Sequence, residues 1–175
     1  MERTMKSFVL LLAMSLNMLA INVGEVPQEL ILSHDNGGLA QDGSAWSSSS
    51  IKDKINVLVY VDPDEKDVNR EFFEVLDSKE FNSTVVGRIA IVNLAATWKP
   101  NYVIEKILEV KQKELPNTIY LKDKKSVLVK EWGLADDASN VLIFSKIGEL
   151  LFYKAGKLSV DETKEAIEII EANIE

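Results

Sequence analysis

Apolar and polar positions divide the chain into segments of two kinds. "INVLVYV" (55–61) and "VVGRIAIVNL" (85–94) are almost continuously apolar and β-branched, the pattern of strands covered on both faces. "LILS" (30–33) is a shorter strand ending in the turn "HDNGG", and "NTIYLKD" (117–123) is another strand. Between the two long runs, Val68, Phe72, Val75, Leu76 and Phe81 recur at helical spacing and predict a helix over 63–81. Asp62 is its expected N-cap and Pro63 its first residue, with Asp64 and Glu65 complementing the positive end of the dipole. "NYVIEKILEVKQKEL" (101–115) predicts a second helix stopped by Pro116, and "KSVLVKEWGL" (125–134) a short helix or irregular turn ending at Gly133.

After this β-α-β-α-β series the order changes. "NVLIFSKIGELLFYKAG" (140–156) reads as an antiparallel hairpin around a glycine-containing turn. "LSVDETKEAIEIIEANI" (158–174) predicts a closing amphipathic helix, with Ser159 and Glu162 as a capping box and an apolar stripe at Ala166, Ile167, Ile170 and Ile174. Parallel units followed by a hairpin and a helix imply an α/β fold of three layers, α/β/α, around a mixed sheet. No repeat and no long linker divides residues 21–175, which are expected to form one domain.

The first twenty residues change the picture of where the chain works. Arg3 and Lys6 precede the apolar run 8–14 and the segment closes on Ala20, the order of a signal peptide; Met5 is an alternative start. The run is too short to span a bilayer, so the expectation is a periplasmic protein with no stable membrane anchor once the leader is removed. The chain contains no cysteine, which excludes thiolate chemistry and disulfides alike. Hydrophobic residues make up 46% and charged residues 27%, as in a soluble globular protein. The formal charge of −8 becomes −9 without Glu2, Arg3 and Lys6, and an acidic surface repels phosphate backbones, so nucleic acid is not an expected partner.

Candidate chemistry is sparse. Asp62, Asp64, Glu65 and Asp67 crowd one strand-to-helix junction, and could hold a hard cation or simply face solvent at a helix start; the glycine and distal glutamate of an EF-hand loop are missing. Acids at an exposed helix start have little reason to shift their pKa values toward acid–base work. His34 is the only histidine and sits in a turn, so neither a Ser-His-Asp arrangement nor a multi-histidine metal site is supported. "TWKPNY" (97–102) is the better recognition element, because it lies where a strand hands over to a helix at the carboxyl end of a parallel sheet. There Trp98 and Tyr102 could offer flat contact area and Lys99 and Asn101 could orient a polar group; alternatively Trp98 packs over the sheet edge and Asn101 only caps the helix. Trp132 is assigned to the core, and Trp46 either anchors the serine-rich loop "QDGSAWSSSS" (41–50) or faces a partner.

The order of segments resembles the thioredoxin fold, and its peroxiredoxin-like branch in particular. "VGEVPQELILS" (23–33) is similar to the opening strand extension of that branch, "LKDKKSVLVKEWGL" (121–134) to its stretch from an Asp to an aromatic-Gly-aliphatic end, and "NVLIFSKIGELLFYKAGKLS" (140–159) to the shared hairpin. Two registers place the missing active cysteine. One puts it in "VDPDEKDVN" (61–69); the other puts Lys99 and Tyr102 of "ATWKPNY" in the two cysteine places; the first also explains the N-terminal segment. The resemblance further implies a cis-proline before the hairpin strand, where "ASN" (138–140) stands instead, so an altered substrate groove is expected.

Within that fold the chain resembles the YtfJ group of small exported bacterial proteins, on "WGLADDASNVLIFSKIGELLFYKAGKLSVDE" (132–162) and a first strand followed by a polar turn without cysteine. A transcription-regulator role attached to some of that group finds no basic patch or recognition helix here. The expectation is a redox-inactive binding module without a cofactor, holding a periplasmic protein or peptide at Asp62, Asp64, Asp67, Trp98, Lys99, Asn101 and Tyr102. The second reading is a cysteine-independent, cation-dependent enzyme on the same scaffold.

Overall fold

A computed structural model describes residues 20–174; the expected leader and its alternative start lie outside the described residues. Six strands form the main sheet: β2 (Gly37–Leu39), β4 (Ile55–Val61), β5 (Val86–Asn93), β6 (Thr118–Asp123), β7 (Ser139–Phe144) and β8 (Leu150–Ala155). Their order is β2-β6-β5-β4-β7-β8, with β4, β5 and β6 parallel and the others antiparallel to their neighbours. A two-residue ribbon, β1 (Ile31–Leu32) with β3 (Trp46–Ser47), lies outside this sheet. The helices are α1 (Arg70–Ser78), α2 (Asn101–Glu114), α3 (Val127–Trp132) and α4 (Val160–Asn173).

Strand alternation sorts the core into two faces. Leu58, Tyr60, Ile89, Ile91, Leu121 and Leu142 point to the face covered by Leu128 and Trp132 of α3 and by Leu30, Leu32 and Trp46 of the N-terminal segment. On the other face, Ile55, Val57, Val141 and Ile143 pack against Phe72 and Leu76 of α1 and Ala166, Ile167 and Ile170 of α4. A separate cluster on that same face joins Val61, Val92 and Tyr120 to Ile104 and Leu108 of α2. Between these two clusters Val59 and Ala90, at the centre of the sheet, are only partly buried. The expected double coverage of the first long strand is therefore interrupted at one position.

Three local expectations need correction. The first helix begins at Arg70, not at residue 63. Asp62 accepts a hydrogen bond from the Asp64 N–H at 2.8 Å, a side-chain turn that diverts the chain, and tight turns continue through Val68 and Arg70. Asn101 is the first residue of α2 rather than its cap; Pro100 occupies the cap position and offers no side-chain acceptor. Trp98 does not pack on the sheet edge: it is 86% exposed.

Elsewhere the local chemistry acts as its residue types dictate. Ser159 caps α4, with its side chain accepting from the Glu162 N–H and Glu162 accepting from the Ser159 N–H. Gly133 ends α3 in the left-handed conformation, φ 66°, and its N–H closes on the Val129 carbonyl. The serine-rich loop is ordered by the β1–β3 ribbon, and Trp46 is buried. The Trp132 indole donates to the Gln28 carbonyl at 2.8 Å, tying the N-terminal segment to α3. Gly37 at the start of β2 has φ 140°, and a Cβ there would lie 1.8 Å from the Lys122 carbonyl oxygen, so only glycine lets β2 approach β6.

Candidate functional site

The carboxyl ends of β4, β5 and β6 and the start of β7 carry the largest group of buried polar side chains among the described residues. Asp62, Asn69, Asn93, Asp123, Ser139 and Asn140 are all buried there. Tyr60 donates to Asp123 at 3.1 Å, and the same carboxylate accepts the backbone N–H groups of Lys125 and Leu128, fixing the entry to α3. Asn93 bridges Asp136 and Ser126 at 2.9 and 3.0 Å. Asn140 donates to the carbonyls of Tyr60 and Ala135 and accepts from the Ala135 N–H and the Tyr153 hydroxyl. Asn69 donates to Ser139 and the Gly156 carbonyl and accepts from the Leu158 N–H, locking the start of α1 to the hairpin. These groups are satisfied by one another and by backbone, so they hold the loops in place rather than face a ligand. Burial, followed by the Asp123 charge, pushes the Tyr60 phenol far above its ordinary value of 10 and keeps it a donor.

The loops fixed in this way present the expected site residues in two groups. Asp64 joins the loops after β4 and β5: it accepts from the Thr97 hydroxyl at 2.9 Å and pairs with the Lys99 ammonium. Those bonds hold the Asp64 carboxyl below its ordinary 3.8. Asp62, two residues earlier, goes the other way: burial raises its carboxyl, and the charges of Asp64 and Asp137 add to the effect against the bond from the Asp64 N–H and the Lys99 charge. Asp67 turns away to Lys66 and Arg70, which lower its carboxyl. Trp98, Asn101 and Tyr102, neighbours of Lys99 in the chain, are exposed, with Tyr102 75% exposed. His34 lies in a single helical turn with φ 50°.

The register of the missing cysteine follows from the sheet. β4 is the strand beside the hairpin, and the Asp62 N–H donates to the Ala138 carbonyl at 3.0 Å, so residues 62–69 face "ASN", as the first register requires. No cis peptide bond occurs among the described residues, and the Ala138 carbonyl already has its partner. For the cation reading, no group of three or more histidine, aspartate or glutamate side chains among the described residues is gathered closely enough to hold a metal ion. The buried ring of Asn69, Asn93, Asp123 and Asn140 is absent from the sequence reading. Its one signal there is the polar residue that ends each apolar run.

Strand order, crossover helices and the closing hairpin define a thioredoxin-like fold, one that peroxiredoxin-like structures share, in a chain without the cysteines on which thiol redox chemistry depends. The solved structures that share this fold include a candidate thiol:disulfide interchange protein from Chlorobium tepidum, 12% identical, covering 89% of this chain and 100% of that one with a TM-score of 0.63. A thiol peroxidase from Chromobacterium violaceum (14% identical, 87% and 89% covered, TM-score 0.58) and a peroxiredoxin-like protein from Aquifex aeolicus (14%, 86% and 89%, 0.56) share it too. The chain belongs to the family described as "Bacterial protein of unknown function (YtfJ_HI0045)", whose sequence profile matches residues 16–173. It is also similar to an uncharacterized protein of Haemophilus influenzae, 26% identical over 129 residues, which are 71% of this chain and 70% of that protein.

Proposed function

We propose that the chain is an exported, redox-inactive binding module of the periplasm, which holds a protein or peptide partner on the loops after β4 and β5. Export rests on the charge-then-apolar order of residues 1–20. Binding rests on one observation: Trp98 and Tyr102 are 86% and 75% exposed beside the Asp64–Lys99 pair, on loops braced by a satisfied polar network. An exposed tryptophan on a rigid support supplies contact area at little entropic cost, as recognition surfaces require. The lack of cysteine removes thiol exchange and leaves binding as the use of this edge.

Affinity capture from periplasmic extract, with residues 21–175 as bait beside a Trp98→Ala/Tyr102→Ala variant, tests the reading. A partner retained by the parent and lost by an equally stable variant is the expected result. Identical retention by both, or reduction of an insulin disulfide above background, sinks it.

A further inference from the structure

The gap between the two clusters on the α1/α2/α4 face is a groove of about 290 Å³ running along the strands between α1 and α2. Its floor is Val57 and Val59 of β4 and Ala90 of β5, and its walls include Phe73 of α1 and Leu115 just beyond α2. A hollow of about 350 Å³ adjoins it, sharing Arg88, Leu115 and Thr118. Core positions at the centre of a sheet are normally covered, so an apolar floor left open in the middle of β4 and β5 is a place for something else to lie.

Polar groups meet that floor in a definite pattern. Arg88 sits level with Val57 and Thr118 on the sheet, and Tyr120 sits one step on, level with Ala90. The Tyr120 side chain lines the groove, and its hydroxyl has no hydrogen-bond partner among the described residues and reaches solvent there. Burial first, and then the Glu114 charge, raise this phenol against the nearby Arg88, so it remains a donor. Lys111 lines the groove from α2 and has no ion pair among the described residues. Arg88 pairs with Asp77, whose side chain is 61% exposed, through one nitrogen of its fork. Lys66, paired with Asp67, stands at the same groove, and Glu114 lines the adjoining hollow. Three cations thus line the groove itself against Asp77 alone, on a chain of formal charge −8.

We propose that this groove binds a single acyl chain by its carboxylate, with Arg88, Lys111 and the Tyr120 hydroxyl at the head and the hydrocarbon along Val57, Val59 and Ala90. A free hydroxyl donor in a groove that two cations also line fits an oxyanion, and the guanidinium fork can take a carboxylate on donors that Asp77 leaves open. The apolar floor then covers the chain as small-molecule pockets do. The site is separate from the Trp98 surface, so either can fail without the other.

The test uses lipid-stripped protein titrated with the fluorescent probe dansyl-undecanoate, then challenged with dodecanoate or dodecanol. Saturable binding is expected, with dodecanoate displacing the probe about tenfold more effectively than dodecanol. Tyr120→Phe, which keeps the ring, weakens dodecanoate by roughly threefold to tenfold, and Ala90→Phe, which fills the floor, abolishes binding. Trp98→Ala leaves it unchanged. Absence of saturable binding, equal displacement by the alcohol, or indifference to Tyr120→Phe in a protein with unchanged circular dichroism overturns the proposal. So does sedimentation showing that Ala90→Phe separates a dimer, since a second copy would then occupy the groove.

Discussion

Asp62 and Tyr60 show how strongly the end of one strand sets the behaviour of single side chains. The folded state raises the Asp62 carboxyl above its ordinary 3.8. The folded chain therefore keeps a proton that the unfolded chain releases first, and this residue's contribution to stability falls as pH rises from about 4. Asp62→Asn preserves an oxygen for the Asp64 N–H and removes the shielded charge. Urea melts should show the variant more stable than the parent at pH 7, on the order of 0.5–1 kcal/mol, with the gap closing in acid. A variant less stable at pH 7 would mean the charge is needed. Tyr60→Phe removes a donor from Asp123, which keeps two backbone N–H partners, and should cost about 1–2 kcal/mol by the same melts. Asp62 was legible as the acid that ends a strand but misread as a helix cap. Asp-Pro followed by acids looks the same in sequence whether the carboxylate caps a helix or closes a turn.

Among the elements, α4 is the one whose sequence and structure agree most closely, because its cap uses side chains only three residues apart. Ser159→Ala should lower stability by about 1 kcal/mol in the same denaturation assay. The Lys154 ammonium, with the Ser159 backbone and hydroxyl, depresses the Glu162 carboxyl from its ordinary 4.5 to about 2. Its contribution is therefore present above 4.5 and lost as pH falls through about 2, so acid melts of a Glu162→Gln variant, less stable than the parent at neutral pH, should converge with those of the parent in that window. Helix α2 was legible in extent, yet its faces were not. Ile104 and Leu108 are buried while Val103, Ile107 and Val110 are exposed, and all five are aliphatic. Periodicity marks an apolar stripe, but where apolar residues spread over most of a helix only the packing chooses which ones go inside. The half-covered floor beneath α2 was invisible for the same reason: Val59 and Ala90 read as ordinary strand interior.

For the molecule as a whole, the order of segments carried the fold: two crossover units, then a hairpin and a helix, admit few arrangements. The loop geometry at the carboxyl edge was less legible, since Asn69, Asn93 and Asn140 each reach a partner between 33 and 89 residues away. Without cysteine, stability is entirely non-covalent, and the urea midpoint should be the same with and without a strong thiol reductant. A shift would reveal a covalent link that this sequence does not contain. The glycine that seats β2 has a further bearing on shelf life. Three residues of β2 lie across the six of β6, and without them β6 would present a row of free amide and carbonyl groups to any neighbouring molecule. Gly37→Ala should unseat that short cover and leave each molecule able to extend the next one's sheet, so that a concentrated solution turns cloudy while a dilute one stays clear.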